Sequence, residues 1–117
     1  MGVIIVYSRE GCPHSIKATE TLNNIKNKYN IKIKYVPNNE IAKNTVKNKL
    51  KNIIGDYSTF PIVLYRTSKK KVLLIGGNSD LQNIINQIKT IHNKDDIKEL
   101  NLTSNQKRLL YYMFLHK

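Results

Sequence analysis

The sequence predicts an α/β domain of order β-α-β-α-β-β-α. A four-stranded mixed sheet is flanked by helices, with one extra helix near the C-terminal end. Three observations predict it. The chain has 117 residues, 40% of them apolar and 24% charged, which suffices for one packed core and not for two. Short β-branched runs alternate with apolar residues spaced three and four apart, the pattern of strands alternating with amphipathic helices. The first two strand-like runs flank a helix. The last two are joined only by Arg66-Thr67-Ser68-Lys69-Lys70-Lys71, a hairpin-length connector.

Each element has its own signal. Val3-Ile4-Ile5-Val6-Tyr7 is apolar on both faces and reads as a strand covered on both sides; Ser8 to Gly11 reads as a loop. Ala18, Leu22, Ile25 and Tyr29 mark a helix from Pro13 to Tyr29. Pro13 suits its first turn, where the missing N–H is not needed. Ile31, Ile33 and Tyr35 alternate with Lys32 and Lys34, a strand half exposed or at a sheet edge. Pro37-Asn38-Asn39 ends it. Ala42, Val46, Leu50 and Ile53 mark a second helix that stops at Gly55. After a loop over Asp56 to Phe60, Pro61–Tyr65 and Val72–Ile75 are two further strands, and Gly76-Gly77 closes the second. Leu81, Ile84, Ile85, Ile88 and Ile91 form a third helical stripe with Asn78 or Ser79 as N-cap. The first two strands are expected parallel and the last two antiparallel.

Beyond a polar break at His92 to Lys94, Thr103 or Ser104 is placed to cap a last helix carrying Leu109, Leu110, Tyr112, Met113 and Phe114. Tyr111, Tyr112 and Phe114 read as the face that docks this helix on the chain's own core, with a dimer contact as the alternative. We divide the chain into a domain of residues 1–92 and a helical extension, 93–117, packed on the same domain. A monomer is expected.

Lys and Arg outnumber Asp and Glu by 20 to 8, a net charge of +12. Ile, Asn and Lys are also heavily over-represented, with 16, 15 and 17 residues. AT-rich coding produces that bias without selection for charge, so the surplus argues weakly for a nucleic-acid partner, and none is expected. The longest apolar run, Leu109 to Leu115, is too short to span a bilayer, so no membrane partner is expected. The N-terminus lacks a basic region and a small-residue cleavage site, so the expected compartment is cytoplasmic.

The single cysteine, Cys12, excludes a disulfide within one chain and a zinc site of several thiolates. It sits between a buried strand and the first turn of a helix. Backbone N–H groups at a helix start favour thiolate over thiol, and Arg9, three residues earlier, adds a cation. A thiolate there is a nucleophile for thiol–disulfide exchange. Gly11-Cys12-Pro13 is a turn, which sets Cys12 apart from an inert core thiol. In Cys12-Pro13-His14-Ser15 the second cysteine of a C-x-x-C motif is replaced. Ser15 cannot resolve a mixed disulfide, although its hydroxyl can hydrogen-bond the thiolate from the first helical turn. The resolving thiol must therefore come from outside. His14 is either a group that tunes the thiolate or an exposed histidine without a role. His92 and His116 have no cluster partner.

At these positions the chain resembles a glutaredoxin of the thioredoxin-like fold, from Val3 to about Ile91. Arg9 stands where that family usually has Lys. Cys12-Pro13-His14-Ser15 occupies its active-site motif, commonly Cys-Pro-Tyr-Cys or, in the monothiol class, Cys-Gly-Phe-Ser. Thr59-Phe60-Pro61 matches its Thr-Val-Pro, and Gly76-Gly77-Asn78-Ser79-Asp80 its Gly-Gly-x-Asp-Asp.

The resemblance implies that Pro61 is cis and that glutathione is the co-substrate. Its cysteine would pair with the Phe60 backbone beside Thr59. Its γ-glutamyl carboxylate would meet the N–H groups of Gly77, Asn78, Ser79 and Asp80. Its ammonium would meet Asp80 or Ser79, and its glycine carboxylate Arg9. Plain helix capping is the other role open to Asn78, Ser79 and Asp80. The expected activity is reduction of glutathionylated proteins or small disulfides by a monothiol mechanism, with Cys12, Arg9 and Ser15 at the reacting centre. Two other readings remain. One is a glutathione-assisted [2Fe–2S] cluster held between two copies, which Pro13 disfavours because cluster-binding relatives usually have Gly there; a brown colour would reveal it. The other is a basic thioredoxin-like binding module.

Overall fold

The computed structural model describes residues 2–117, with Met1 outside it. Four strands, β1 (Val3–Arg9), β2 (Ile31–Val36), β3 (Ile62–Arg66) and β4 (Val72–Gly76), form one sheet in the order β2-β1-β3-β4. The helices are α1 (Pro13–Ile25), α2 (Glu40–Ile54), α3 (Asn78–Thr90) and α4 (Ser104–Leu115), with a short 3₁₀ turn over Lys94–Glu99. The mixed four-stranded α/β architecture and the extra C-terminal helix are those the patterning predicts. The strand directions agree as well: β1 and β2 are parallel, β3 and β4 antiparallel.

The double-sided burial of β1 follows from its central place and its alternation. Ile4 and Val6 point to one layer, with Ala18 and Leu22 of α1, Leu81 and Ile84 of α3, and Leu109 and Leu110 of α4. Val3, Ile5 and Tyr7 point to the other, with Leu50 and Ile54 of α2 and with Phe60. One face of the sheet thus carries α1, α3 and α4, and the other carries α2. β2 lies at an edge, where Ile31 and Ile33 are half-buried, Lys32 and Lys34 are exposed, and Tyr35 is 63% exposed.

Several boundaries differ from the sequence reading. β3 runs from Ile62 to Arg66, not from Pro61 to Tyr65, and β4 extends to Gly76. Ser8 and Arg9 are strand, not loop, because β2 continues alongside them and pairs Ser8 with Tyr35 and Arg9 with Val36. Ser8 is buried, and its hydroxyl accepts from Thr19 of α1 at 3.2 Å. α1 ends at Ile25, not Tyr29. Tyr29 lies in the following turn, where its hydroxyl donates to the Met113 carbonyl at 3.3 Å. The N-cap of α3 is Gly77, not Asn78 or Ser79, and the Asp80 carboxylate accepts its N–H at 3.0 Å. The stretch 94–99, unassigned in sequence, is a 3₁₀ turn capped by the Asn93 side chain and anchored by buried Ile97.

α2 is delimited by Asn39, whose side chain accepts from the Ala42 N–H at 2.8 Å, and by Gly55 at φ 57°. α4 is capped by Thr103, with Gln106 returning a bond to the Thr103 N–H at 3.1 Å. Leu109, Leu110, Tyr112 and Met113 bury its inner face. Tyr112 meets Tyr65 and Tyr29 with ring centroids 5.4 and 6.0 Å away. Tyr111, grouped with Tyr112 in the sequence, is instead 41% exposed, because adjacent residues point about 100° apart around a helix. No helix among the described residues is long and apolar enough to cross a membrane.

Candidate active site

The parallel β1–α1 connection sets the site. β1 runs out to Arg9, Gly11 turns the chain at φ 72°, and Cys12 becomes the N-cap of α1 with extended backbone. Its carbonyl accepts the Ile16 N–H at 2.9 Å. Pro13 follows in the first turn, where helices tolerate it best.

Cys12 is a turn residue, as its sequence context predicts, yet its side chain is only 5% exposed. The cover comes from the opposing loop. The Phe60–Pro61 bond is cis, as the resemblance implies, and the Cys12 thiol lies 3.8 Å from the Phe60 carbonyl oxygen, to which it donates.

Burial pushes the Cys12 thiol up, but other groups outweigh it. The Ser15 N–H and hydroxyl, the His14 N–H and the Arg9 guanidinium together bring it below the ordinary thiol value. Ser15 is fully buried, and its oxygen also accepts the Arg9 N–H at 3.0 Å. The hydroxyl thus ties the end of β1 to the start of α1 while favouring the thiolate. Its place in the second cysteine position has a structural reason as well as a chemical one. The midpoint for Cys12 alkylation by iodoacetamide against pH is therefore expected below that of an unperturbed cysteine in a short peptide. Ser15→Ala should raise that midpoint.

Arg9 is half-buried at the strand end. Among the described residues its Nε is a buried donor without an acceptor. The Arg9 charge acts on the Cys12 thiol and lowers its pKa. Lys47 of α2, which the motif reading did not single out, sits 6.0 Å from the centroid of the Phe60 ring. Lys43 and Lys47, with Arg9, hold the Glu40 carboxyl below its usual range, Lys43 through a 2.7 Å bond.

Pro61 and the α3 terminus are neighbours. A Cβ added to Gly77 would meet the Tyr57 hydroxyl at 2.6 Å and the Pro61 carbonyl at 3.7 Å, so a larger residue there would have to displace the Tyr57 side chain. Tyr57 is a further residue the motifs did not mark. Asn78 is half-buried, and its side chain accepts from Gln82, which also donates to Thr21 of α1. Asp80 points back under the turn to Gly77, and its other oxygen accepts from Gln106 of α4 at 3.2 Å. Both carboxylate oxygens are therefore engaged within the chain, which is the capping role.

Cys12, Arg9, Ser15, Phe60, Pro61 and Gly77 thus come together through direct contacts. Thr59, Ser79 and His14 are exposed. A groove of about 880 Å³ lies at the other end of the sheet, between Gly2, Tyr65 and α4, and touches none of these residues. Among the described residues no group of three or more His, Cys, Asp or Glu could hold a metal. A shared cluster would rest on a second copy and on added thiols.

A mixed sheet in the order β2-β1-β3-β4, with a cysteine at the first helix N-terminus facing a cis-proline, defines the thioredoxin-like fold. Within that class the chain has the fold of glutaredoxins. It matches Francisella tularensis glutaredoxin 1, solved in complex with cacodylate, with a TM-score of 0.55 and 17% identity over 78% of this chain and 100% of that one. It matches reduced Escherichia coli glutaredoxin with a TM-score of 0.50 and 19% identity over 76% of this chain and 99% of that one. No family model and no curated protein matches the sequence.

Proposed function

We propose that the protein is a glutathione-dependent thiol–disulfide oxidoreductase that works with one thiol. The observation that carries this reading is the seat of Cys12. It is an N-cap thiol, lowered below its ordinary pKa, against the carbonyl that precedes cis-Pro61, in a chain with no second cysteine. The Cys12 thiolate attacks the glutathione sulfur of a glutathionylated protein or small disulfide. That S–S bond breaks, and the departing thiolate takes a proton. Cys12 is left in a mixed disulfide with glutathione. A second glutathione thiolate attacks the glutathione sulfur of that bond, oxidised glutathione leaves, and Cys12 returns as thiolate.

The site has matching chemistry for glutathione. The Phe60 backbone lies beside the thiol, where the peptide's own cysteine backbone pairs as an added strand. Arg9, whose guanidinium charge acts on the Cys12 thiol, suits the glycine carboxylate. The first N–H groups of α3, which have no partner within a helix, suit the γ-glutamyl carboxylate. Thr59 and Ser79 are exposed, next in sequence to Phe60 and Asn78. The compartment in this reading is a reducing, cytosol-like one, where the glutathione pool supplies the second thiol.

The test is reduction of a glutathionylated peptide by glutathione, coupled to glutathione reductase. The protein should exceed the rate of glutathione alone. Intact mass should show one glutathione per chain after treatment with oxidised glutathione. A rate equal to the background would refute the reading.

A further inference from the structure

We infer that Gln106, on the C-terminal helix, is a positioning residue for the α3 terminus that receives the glutathione carboxylate. The inference rests on the glutathione reading above. Gln106 is 7% exposed, and every polar atom of its carboxamide is engaged. Nε2 donates to the Ile75 carbonyl at 2.9 Å and to Asp80 Oδ1 at 3.2 Å, while Oε1 accepts the Thr103 N–H at 3.1 Å.

Ile75 and Asp80 bracket the Gly76-Gly77 turn. Two consecutive glycines make the most mobile backbone available, and the directions of the N–H groups that follow depend on that turn. Asp80 closes it from inside. Its carboxylate takes the Gly77 N–H and lies so close to Gly76, at φ 137°, that a Cβ there would collide with it. Gln106 then fixes Asp80 from outside and holds the strand end at Ile75 with the same nitrogen. One side chain from the extension thus sets both sides of the turn.

The neighbouring residue supplies the contrast. Asn105 Nδ2 donates to the Leu74 carbonyl at 3.1 Å and so docks α4 on the edge strand β4 without touching Asp80. A role confined to docking or capping α4 would make the two residues equivalent in their effect on ligand binding. A positioning role would not.

The experiment measures binding of S-methylglutathione, which cannot react with Cys12, by calorimetry. Gln106→Leu should weaken it about tenfold, close to the net worth of one hydrogen bond. Asn105→Ala should bind as the wild type does, and the pH profile of Cys12 alkylation should stay in place in both variants. Gln106→Glu sets a second carboxylate against Asp80. It should bind weakly at pH 7 and recover toward wild type when the pH is lowered to 5, as protonation of the introduced carboxyl restores a donor. A space-filling role predicts no such recovery.

If the wild type fails to bind S-methylglutathione, the glutathione reading fails and the inference falls with it. If the wild type binds and Gln106→Leu binds equally well, or Asn105→Ala is equally weak, the inference alone is overturned. Should Gln106→Leu not fold, Gln106→Glu decides the matter, since equal weakness at both pH values overturns the inference.

Discussion

Cys12→Ser should bring glutathione-coupled reduction down to the rate of glutathione alone, while the protein stays folded. The loss should be complete because nothing else in the site can form the intermediate. The chain has no other thiol, and a serine hydroxyl does not ionise near neutral pH and forms no disulfide. The fold should persist because oxygen for sulfur keeps the shape of a side chain whose acceptor, the Phe60 carbonyl, can accept from a hydroxyl too.

The comparison with wild type also carries a pH signature. The folded thiol has a lowered pKa, so the thiolate stabilises the fold above the unfolded value of about 8.5. That contribution is lost as pH falls through the folded value. Wild type should therefore gain on Cys12→Ser in urea midpoint as pH rises across this window. A constant difference across it would mean that Ser15, His14 and Arg9 do not favour the thiolate. A Cys12→Ser protein that still outpaced glutathione would mean that the nucleophile is misassigned.

The elements of this fold were legible in sequence where a single period governed them. β1 is buried on both faces and reads as an unbroken apolar run; β2 lies at an edge and alternates. The loop that carries Cys12 was legible for a similar reason, since a strand followed by Gly11, Cys12 and Pro13 reads as a strand-to-helix turn. What the sequence concealed are contacts that depend on the third dimension. Ser8 and Arg9 look like loop because they are polar, yet a parallel neighbour pairs with them and Thr19 satisfies the buried Ser8 hydroxyl. Ser15 is read as a substitute for cysteine, but only the packed chain reveals its bond to the Arg9 N–H. Asp80 reads in sequence as a cap or a ligand contact, and only the packed chain shows that Gly77 and Gln106 engage its two oxygens. Gln106 and Tyr57 carry no motif at all. Their importance comes from what they touch, Asp80 in one case and Gly77 in the other, across loops whose approach no local pattern encodes.

Leu109→Ala should lower the stability of the whole domain by about 2–5 kcal/mol, a large share of the roughly 5–15 kcal/mol that holds a typical domain together. Leu109 is fully buried in the same cluster as Ile4, Val6, Leu81 and Ile84, so its removal leaves a cavity against β1 and α3 and not merely a loosened tail. The extension is bound there by polar ties as well, from Tyr29 to the Met113 carbonyl and from Lys117 to the Ile91 carbonyl. The core should therefore lose stability as one cooperative unit, seen as a single urea transition at lower midpoint with an unchanged slope. Tyr111→Ala, two positions along the same helix but 41% exposed, should cost far less, near the small effect usual for surface sites. The contrast between the two positions also separates the two readings of this aromatic stretch. Packing on the chain's own core makes Leu109 costly and the Tyr111 midpoint independent of protein concentration. A dimer through this helix would make Tyr111→Ala destabilising and its midpoint concentration-dependent. A Leu109→Ala protein that retained its tertiary transition while residues 93–117 alone melted would show that the extension is a separate layer, and that the core beneath it is sufficient by itself.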